Sequence, residues 1–333
     1  MKRLLPALLI IMLFCSHDMF LKLEGFFLQP QAQAEVQLFN GTFEKSENVI
    51  DRDRMIDMSL VGNGQRIAVD SAQWFEKDST TFLRFTTGDA GTWVAGVSTK
   101  PRLIELAAPD FNGYLEHDGI IDMLEQRKNN NTLDQDAIER YSKHVKTLFQ
   151  VGDQLSDDWK TVLGYPIEFV PQGNPYDLHP GHSLKVTLLL EGQPLADQLV
   201  YVGHQPTHGH THNGQHTHDD GTTHSHNENT DHGHSHEGVR QLRTDDNGQV
   251  ELDIDAGGVW YLRTIHLVTV EEAGLTHESN WATLTFAVGE GHAHEHDTET
   301  HHHHEEGLAS YWYWIGSVML IILFFVGFNR KKK

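Results

Sequence analysis

From His204 to His236 the chain carries eleven histidines among Gly, Asn, Asn-like polar and Thr residues, and not one large apolar side chain. A segment with nothing to bury cannot join a core. Whatever folds must therefore be built from the sequence on either side, and residues 204–238 are expected to be a disordered loop in the metal-free state. The histidines are His204, His208, His210, His212, His216, His218, His224, His226, His232, His234 and His236. A second tract adds His292, His294, His296, His301, His302, His303 and His304, so the two tracts hold 18 of the chain's 25 histidines.

Imidazole suits nickel, cobalt, zinc and copper and does not suit calcium or magnesium. In His208-Gly209-His210-Thr211-His212 the ligands are two apart. An extended chain would alternate them, whereas a glycine-containing loop can fold two or three around one ion. Thr223-His224-Ser225-His226 and His232-Gly233-His234-Ser235-His236 repeat the pattern. Such a tract binds several ions with modest affinity, because each event must order a floppy chain. Protons compete near the histidine pKa of about 6.5.

The flanking sequence reads as short strands. Val36–Phe39, Met58–Val61, Thr81–Phe85 and Gly91–Val97 are separated by turns such as Asn40-Gly41 and Gly62-Asn63-Gly64. Beyond the middle come Ile167–Val170, Leu184–Leu190, Gln198–Val202, Arg240–Arg243, Gln249–Ile254, Gly258–Val270 and Trp281–Val288. Alternating runs with regular turn signals predict β-sandwiches. Between them Ile120, Ile121, Leu124, Leu133, Ile138, Tyr141, Val145 and Leu148 recur at three- and four-residue steps. That period predicts two amphipathic helices broken at Asn129-Asn130-Asn131, with Thr132 and Gln135 as a capping box for the second.

Each end predicts a membrane event. Lys2-Arg3 and the apolar run Leu4–Phe14 read as a signal peptide over 1–16, cut near Cys15–Ser16. Ala32-Gln33-Ala34 lies too far from the apolar run to be the cleavage site, and lipid-modified Cys15 is the alternative outcome. Tyr311–Phe328 has 18 residues without a charge. With aromatic residues at one end and Arg330-Lys331-Lys332-Lys333 at the other, it reads as one transmembrane helix with a cytoplasmic tail. The expected protein is a single-pass bacterial inner-membrane protein whose ectodomain faces the periplasm. Formal charge is −22 for the whole chain. It becomes −28 once the six bases of the two ends are set aside, which excludes a nucleic-acid binder. Cys15 is the only cysteine, so disulfide scaffolds, cysteine metal clusters and thiol enzymes are excluded.

The fold class expected is thus mainly β: two immunoglobulin-like β-sandwich domains with a short helical insertion, plus one C-terminal transmembrane helix. The N-terminal β-domain spans 17–110, the helical connection 111–162, and the C-terminal sandwich 163–290. A histidine-rich linker follows over 291–310, then the membrane helix over 311–328 and the basic tail over 329–333.

Several runs resemble a known group. They are His17-Asp18-Met19-Phe20-Leu21, Glu139-Arg140-Tyr141-Ser142-Lys143-His144-Val145-Lys146, Leu163–Pro171 with Asn174-Pro175, Thr244–Val250, Gly258–Arg263 and Trp281–Phe286. Over 17–288 the chain resembles the bacterial periplasmic nickel uptake transporter or cobalt transport periplasmic component family, formally a domain of unknown function. The resemblance implies a pair of β-domains in the periplasm and a link to nickel or cobalt uptake. The histidine tracts lie beyond the common domain.

Outside the tracts, cleavage after Ser16 would give His17 an α-amine, an imidazole and the Asp18 carboxylate on one terminus. That compact chelate favours nickel or copper; the plainer reading is a first-strand residue. His179 and His182 bracket a turn and could pair on a metal. His266 reads as a packed strand histidine, and His277 with Glu278 is a weaker candidate. Trp93, Trp260 and Trp281 read as core rather than a sugar platform. No G-x-S-x-G elbow, P-loop, dinucleotide fingerprint or H-E-x-x-H is present, so an enzyme is not expected. The expected function is a membrane-anchored periplasmic binder of nickel or cobalt, with zinc next and copper possible, that supplies or buffers metal for a membrane permease. A structural or adhesive sandwich with passive spacers, and a pH or metal sensor, are the alternatives.

Overall fold

A computed structural model describes residues 17–206 and 239–289. All of these fall in one of the chain's two units, Met1–Gly291; the other, His292–Lys333, lies outside the described residues. The expected signal peptide and membrane helix, the histidines from His208 to His236 and those from His292 to His304 are also outside them. Among the described residues no helix is long and apolar enough to cross a membrane.

The chain is mainly β, and the strands among the described residues sort into three sheets. Strands Asp18–Lys22, Gln33–Gly41, Thr80–Thr86 and Trp74–Lys77 form a four-stranded sheet in that order. Strands Ile167–Pro171, Ser183–Leu190, Gln193–Pro194 and Gln249–Asp253 form a second. The third is ten-stranded: eight strands run from Arg240–Arg243 through Leu199–Gln205, Gly258–Glu272, Leu275–Val288, Ala137–Val151 and Gly91–Thr99 to Met55–Gly62 and Gln65–Ala68, and Phe27–Leu28 and Arg102–Leu106 also pair with Ala137–Val151. Asn63 and Gly64, both at positive φ (53° and 74°), make the tight turn of its last hairpin.

The sandwich layering is as expected, but the two sandwiches share the ten-stranded sheet. Ala137–Val151 joins their halves by pairing in parallel with Leu275–Val288, from Glu139 opposite His277 to Thr147 opposite Thr285. One apolar core lies between the first sheet and one face of the large one, where Met19, Leu21, Leu38 and Leu83 meet Trp93, Val145 and Phe149. The other core lies on the opposite face, where Ile167, Phe169, Val186 and Leu252 meet Val94, Leu148, Leu284 and Phe286. The middle strands are thus covered on both sides, and every residue of Gly91–Thr99 is buried.

This arrangement corrects the expectation of a second helix over 132–151. Helices form at Ala108–His117 and Ile121–Asn129, and their Phe111, Leu115 and Met123 pack with Ile265, Leu267 and Trp281. Ala137–Val151 is a strand. Nearly all of it is buried, so its side chains need not alternate apolar and polar, and the three-to-four spacing of Ile138, Tyr141, Val145 and Leu148 carries no helical meaning. Thr132 closes a turn with Gln135, whose N–H donates to the Thr132 carbonyl at 3.1 Å.

Candidate functional site

The histidine insert leaves and re-enters the fold at one edge of the large sheet. Leu199–Gln205 pairs antiparallel with Arg240–Arg243, Leu199 opposite Arg243 and Val202 opposite Arg240. The hairpin therefore closes on its own hydrogen bonds, and the intervening residues are an insertion at its tip. The strand runs through Gln205, so the first two residues of the loop expected above, His204 and Gln205, belong to it. His204 belongs to that strand. It is half-buried, its Nε2 lies 2.9 Å from the Gly257 carbonyl oxygen, and its ring packs on Trp260.

His17 stands just before strand Asp18–Lys22. Its Nδ1 is 3.0 Å from Glu47 Oε2, and its carbonyl accepts from the buried Lys143 ammonium. Asp18 forms an ion pair with Arg263 at 2.6 Å. An imidazole nitrogen and a carboxylate oxygen about 3 Å apart match the edge of a coordination shell with ligands at about 2.0–2.2 Å. His17 and Glu47 could therefore supply two ligands. His179 and His182 are both exposed, with ring centroids 3.7 Å apart, and are a second two-ligand candidate. Among the described residues no group of three or more His, Cys, Asp or Glu is placed to hold a metal.

The other histidines of the fold are held by protein groups. His144 is buried, with Nδ1 2.9 Å from Ser98 Oγ and Nε2 3.0 Å from Ser142 Oγ; burial pushes its pKa down to about 4. His277 packs on Phe111 and lies 2.7 Å from Thr276 Oγ1, and burial again lowers its pKa to about 4. His266 Nδ1 is 2.9 Å from Gln198 Oε1, and burial lowers its pKa. Trp93, Trp260 and Trp281 are core residues.

Sequence reasoning did not single out the buried charges of Ala137–Val151. Alternate side chains face opposite layers. Lys146 is 2.9 Å from Glu168 in the second sheet, both almost wholly inaccessible. On the other face Glu139, Tyr141 and Lys143 line a cavity with His17 and Arg54. The signal available in sequence was the density of ionisable residues in Glu139–Lys146, a run whose charged residues entered above only through the family resemblance.

The profile of a domain of unknown function, DUF4198, matches residues 15–268. None of the curated proteins matches the chain. Among solved structures, trypsin-activated α2-macroglobulin from Escherichia coli is 11% identical, with a TM-score of 0.20 over 82% of this chain and 16% of that one. The D0–D1 domain of intimin is 8% identical, with a TM-score of 0.18 over 81% and 97%. A DUF4785 family protein from Legionella pneumophila is 11% identical, with a TM-score of 0.20 over 73% and 51%. The chain thus spans about a sixth of the α2-macroglobulin it matches.

Proposed function

Starting from the fact that the chain belongs to the DUF4198 family, a domain of unknown function, we propose that it binds divalent transition-metal ions at the bacterial cell envelope. The binding element is the histidine insert between Leu199–Gln205 and Arg240–Arg243. One observation carries the reading: the two strands pair directly, Val202 against Arg240, so the fold does not need the insert to close. Its histidines serve no core, and imidazole at this density is a ligand for borderline cations. The second tract, His292 to His304, extends the same chemistry toward the proposed membrane helix over 311–328.

Nickel or cobalt leads because of the family resemblance, and zinc follows on ligand chemistry alone. The insert concentrates ions and passes them to a membrane permease or buffers them; the stacked sheets serve as scaffold. The ions are cargo, bound and released as imidazole competes with protons.

Calorimetric titration of the full chain with Ni(II), Co(II), Zn(II) and Cu(II), with and without residues 207–238, tests this. Several ions should bind at neutral pH, and the deletion should remove most of them. It should change the folding free energy by less than about 0.5 kcal/mol, as for surface changes away from any core. Equal metal uptake by the two chains would refute the reading.

A further inference from the structure

The cavity behind His17 is lined by no residue of the two strands that flank the histidine insert. It measures about 270 Å³, with Val49, Ile50, Ile104 and Leu106 among its apolar walls and Arg54, Glu139 and Lys143 among its polar ones. Arg54 is only 8% exposed, yet its Nε and Nη2 have no hydrogen-bond partner. Tyr141 attends the guanidinium, with its ring centroid 5.4 Å away. Glu139 is 1% exposed. Its Oε1 accepts from Tyr114 and Ser279, and its Oε2 has no partner.

Buried charged groups are normally fully hydrogen-bonded, because a bond left unmade there carries the desolvation cost with nothing to offset it. Here two such groups line the same cavity. The orphaned donors of Arg54 are not arbitrary, because Nε–H and the neighbouring Nη2–H project from one edge of the guanidinium. That edge takes the two oxygens of a carboxylate side by side. The other basic groups add to the pull on an anion. Lys143 is buried in the wall and donates to the His17 carbonyl, while Arg102 is paired with Asp51 at 3.0 Å.

Glu139 defines the other end. It lies two residues from Tyr141 on the same strand face, about 7 Å along the strand. Burial pushes its pKa up to about 7, so Oε2 can accept a hydrogen bond or donate one. A ligand reaching both groups must carry a carboxylate and, a few atoms away, a hydroxyl or amino group.

We propose that this cavity is a binding site for a small organic acid, with its carboxylate on Arg54 Nε and Nη2 and its hydroxyl or amino group on Glu139 Oε2. The apolar walls would take its short carbon chain.

The test is calorimetric titration of the full chain in EDTA, which strips ions from the histidine tracts, so that failure here leaves the metal reading standing. Sodium 4-hydroxybutyrate, 4-aminobutyrate, sodium butyrate and sodium sulfate are the probes. Either 4-hydroxybutyrate or 4-aminobutyrate should bind, and which one does tells whether the hydroxyl or the amino group is preferred. Butyrate, lacking the donor, should bind about tenfold more weakly. Arg54→Lys should weaken binding about tenfold or more, because one ammonium cannot reproduce the two-pronged contact. Glu139→Gln, an independent and nearly isosteric change, should narrow the gap between 4-hydroxybutyrate and butyrate. Absence of carboxylate binding, equal binding of butyrate or sulfate, or unchanged affinity in a folded Arg54→Lys chain would overturn the assignment. If Arg54→Lys does not fold, an unchanged 4-hydroxybutyrate-to-butyrate ratio in Glu139→Gln overturns it.

Discussion

The two faces of strand Ala137–Val151 bury charge in opposite ways. Toward the second sheet, the Lys146 ammonium donates to Glu168 at 2.9 Å, to the Thr161 carbonyl at 2.9 Å and to the Phe169 carbonyl at 3.0 Å. Glu168 in turn accepts the backbone N–H groups of Leu163, Gly164 and Tyr165. Both charges are desolvated, and protein atoms satisfy both. Toward the first sheet, Glu139 and the nearby Arg54 keep buried polar atoms without partners. A closed network offsets its own desolvation and locks two layers together. An open one leaves that offset to something outside the chain, as in a binding site.

Removing the closed network's cation should produce the largest effect. Lys146→Ala leaves Glu168 buried without its partner and should lower the unfolding free energy by about 3–5 kcal/mol, measured by urea denaturation. A loss below about 1 kcal/mol would remove the contrast between the two faces.

Acid should act next. His144, on the closed face, and His277 both have native pKa values lowered to about 4. The unfolded chain therefore binds more protons than the native one below about pH 6.5. Stability should fall as pH drops from about 6.5 to about 4 and level off below, by up to about 3 kcal/mol per histidine. His144→Asn should flatten that slope in denaturation curves measured across the range.

The open face should show the reverse sign and a smaller size. Glu139 has its native pKa raised to about 7, so its neutral form favours folding below about pH 4.5, and this contribution fades as pH rises through 7. Glu139→Gln should therefore stabilise the chain at pH 8 relative to pH 5, by about 1–3 kcal/mol. An identical effect at both pH values would show that Oε2 finds a partner within the protein.

Much of the strand inventory was legible because turn residues and alternation are local. Asn63-Gly64 turns where expected, both residues at positive φ, and the runs at 81–85, 184–190 and 281–288 all lie within observed strands. The candidate site was legible only in part. His17 was singled out for its own ligand atoms, but its neighbour Glu47 comes from a different loop and no spacing announces it. His204 looked like the first residue of the loop; its contact with Trp260 places it in the sheet.

The amino-acid sequence by itself determined that the chain is mainly β and that the run beyond His204 could belong to no core, because backbone turn preferences and the lack of apolar side chains act within a few residues. Tertiary structure alone decided that Ala137–Val151 is a strand, that two sandwiches share one sheet, and that Arg54 and Glu139 meet at one cavity. Those outcomes depend on pairing with segments far away, such as Glu139 beside His277. Burial on both faces removes the alternation that would otherwise mark a strand, and a charged side chain shows where it lies only once the layers above and below it are in place.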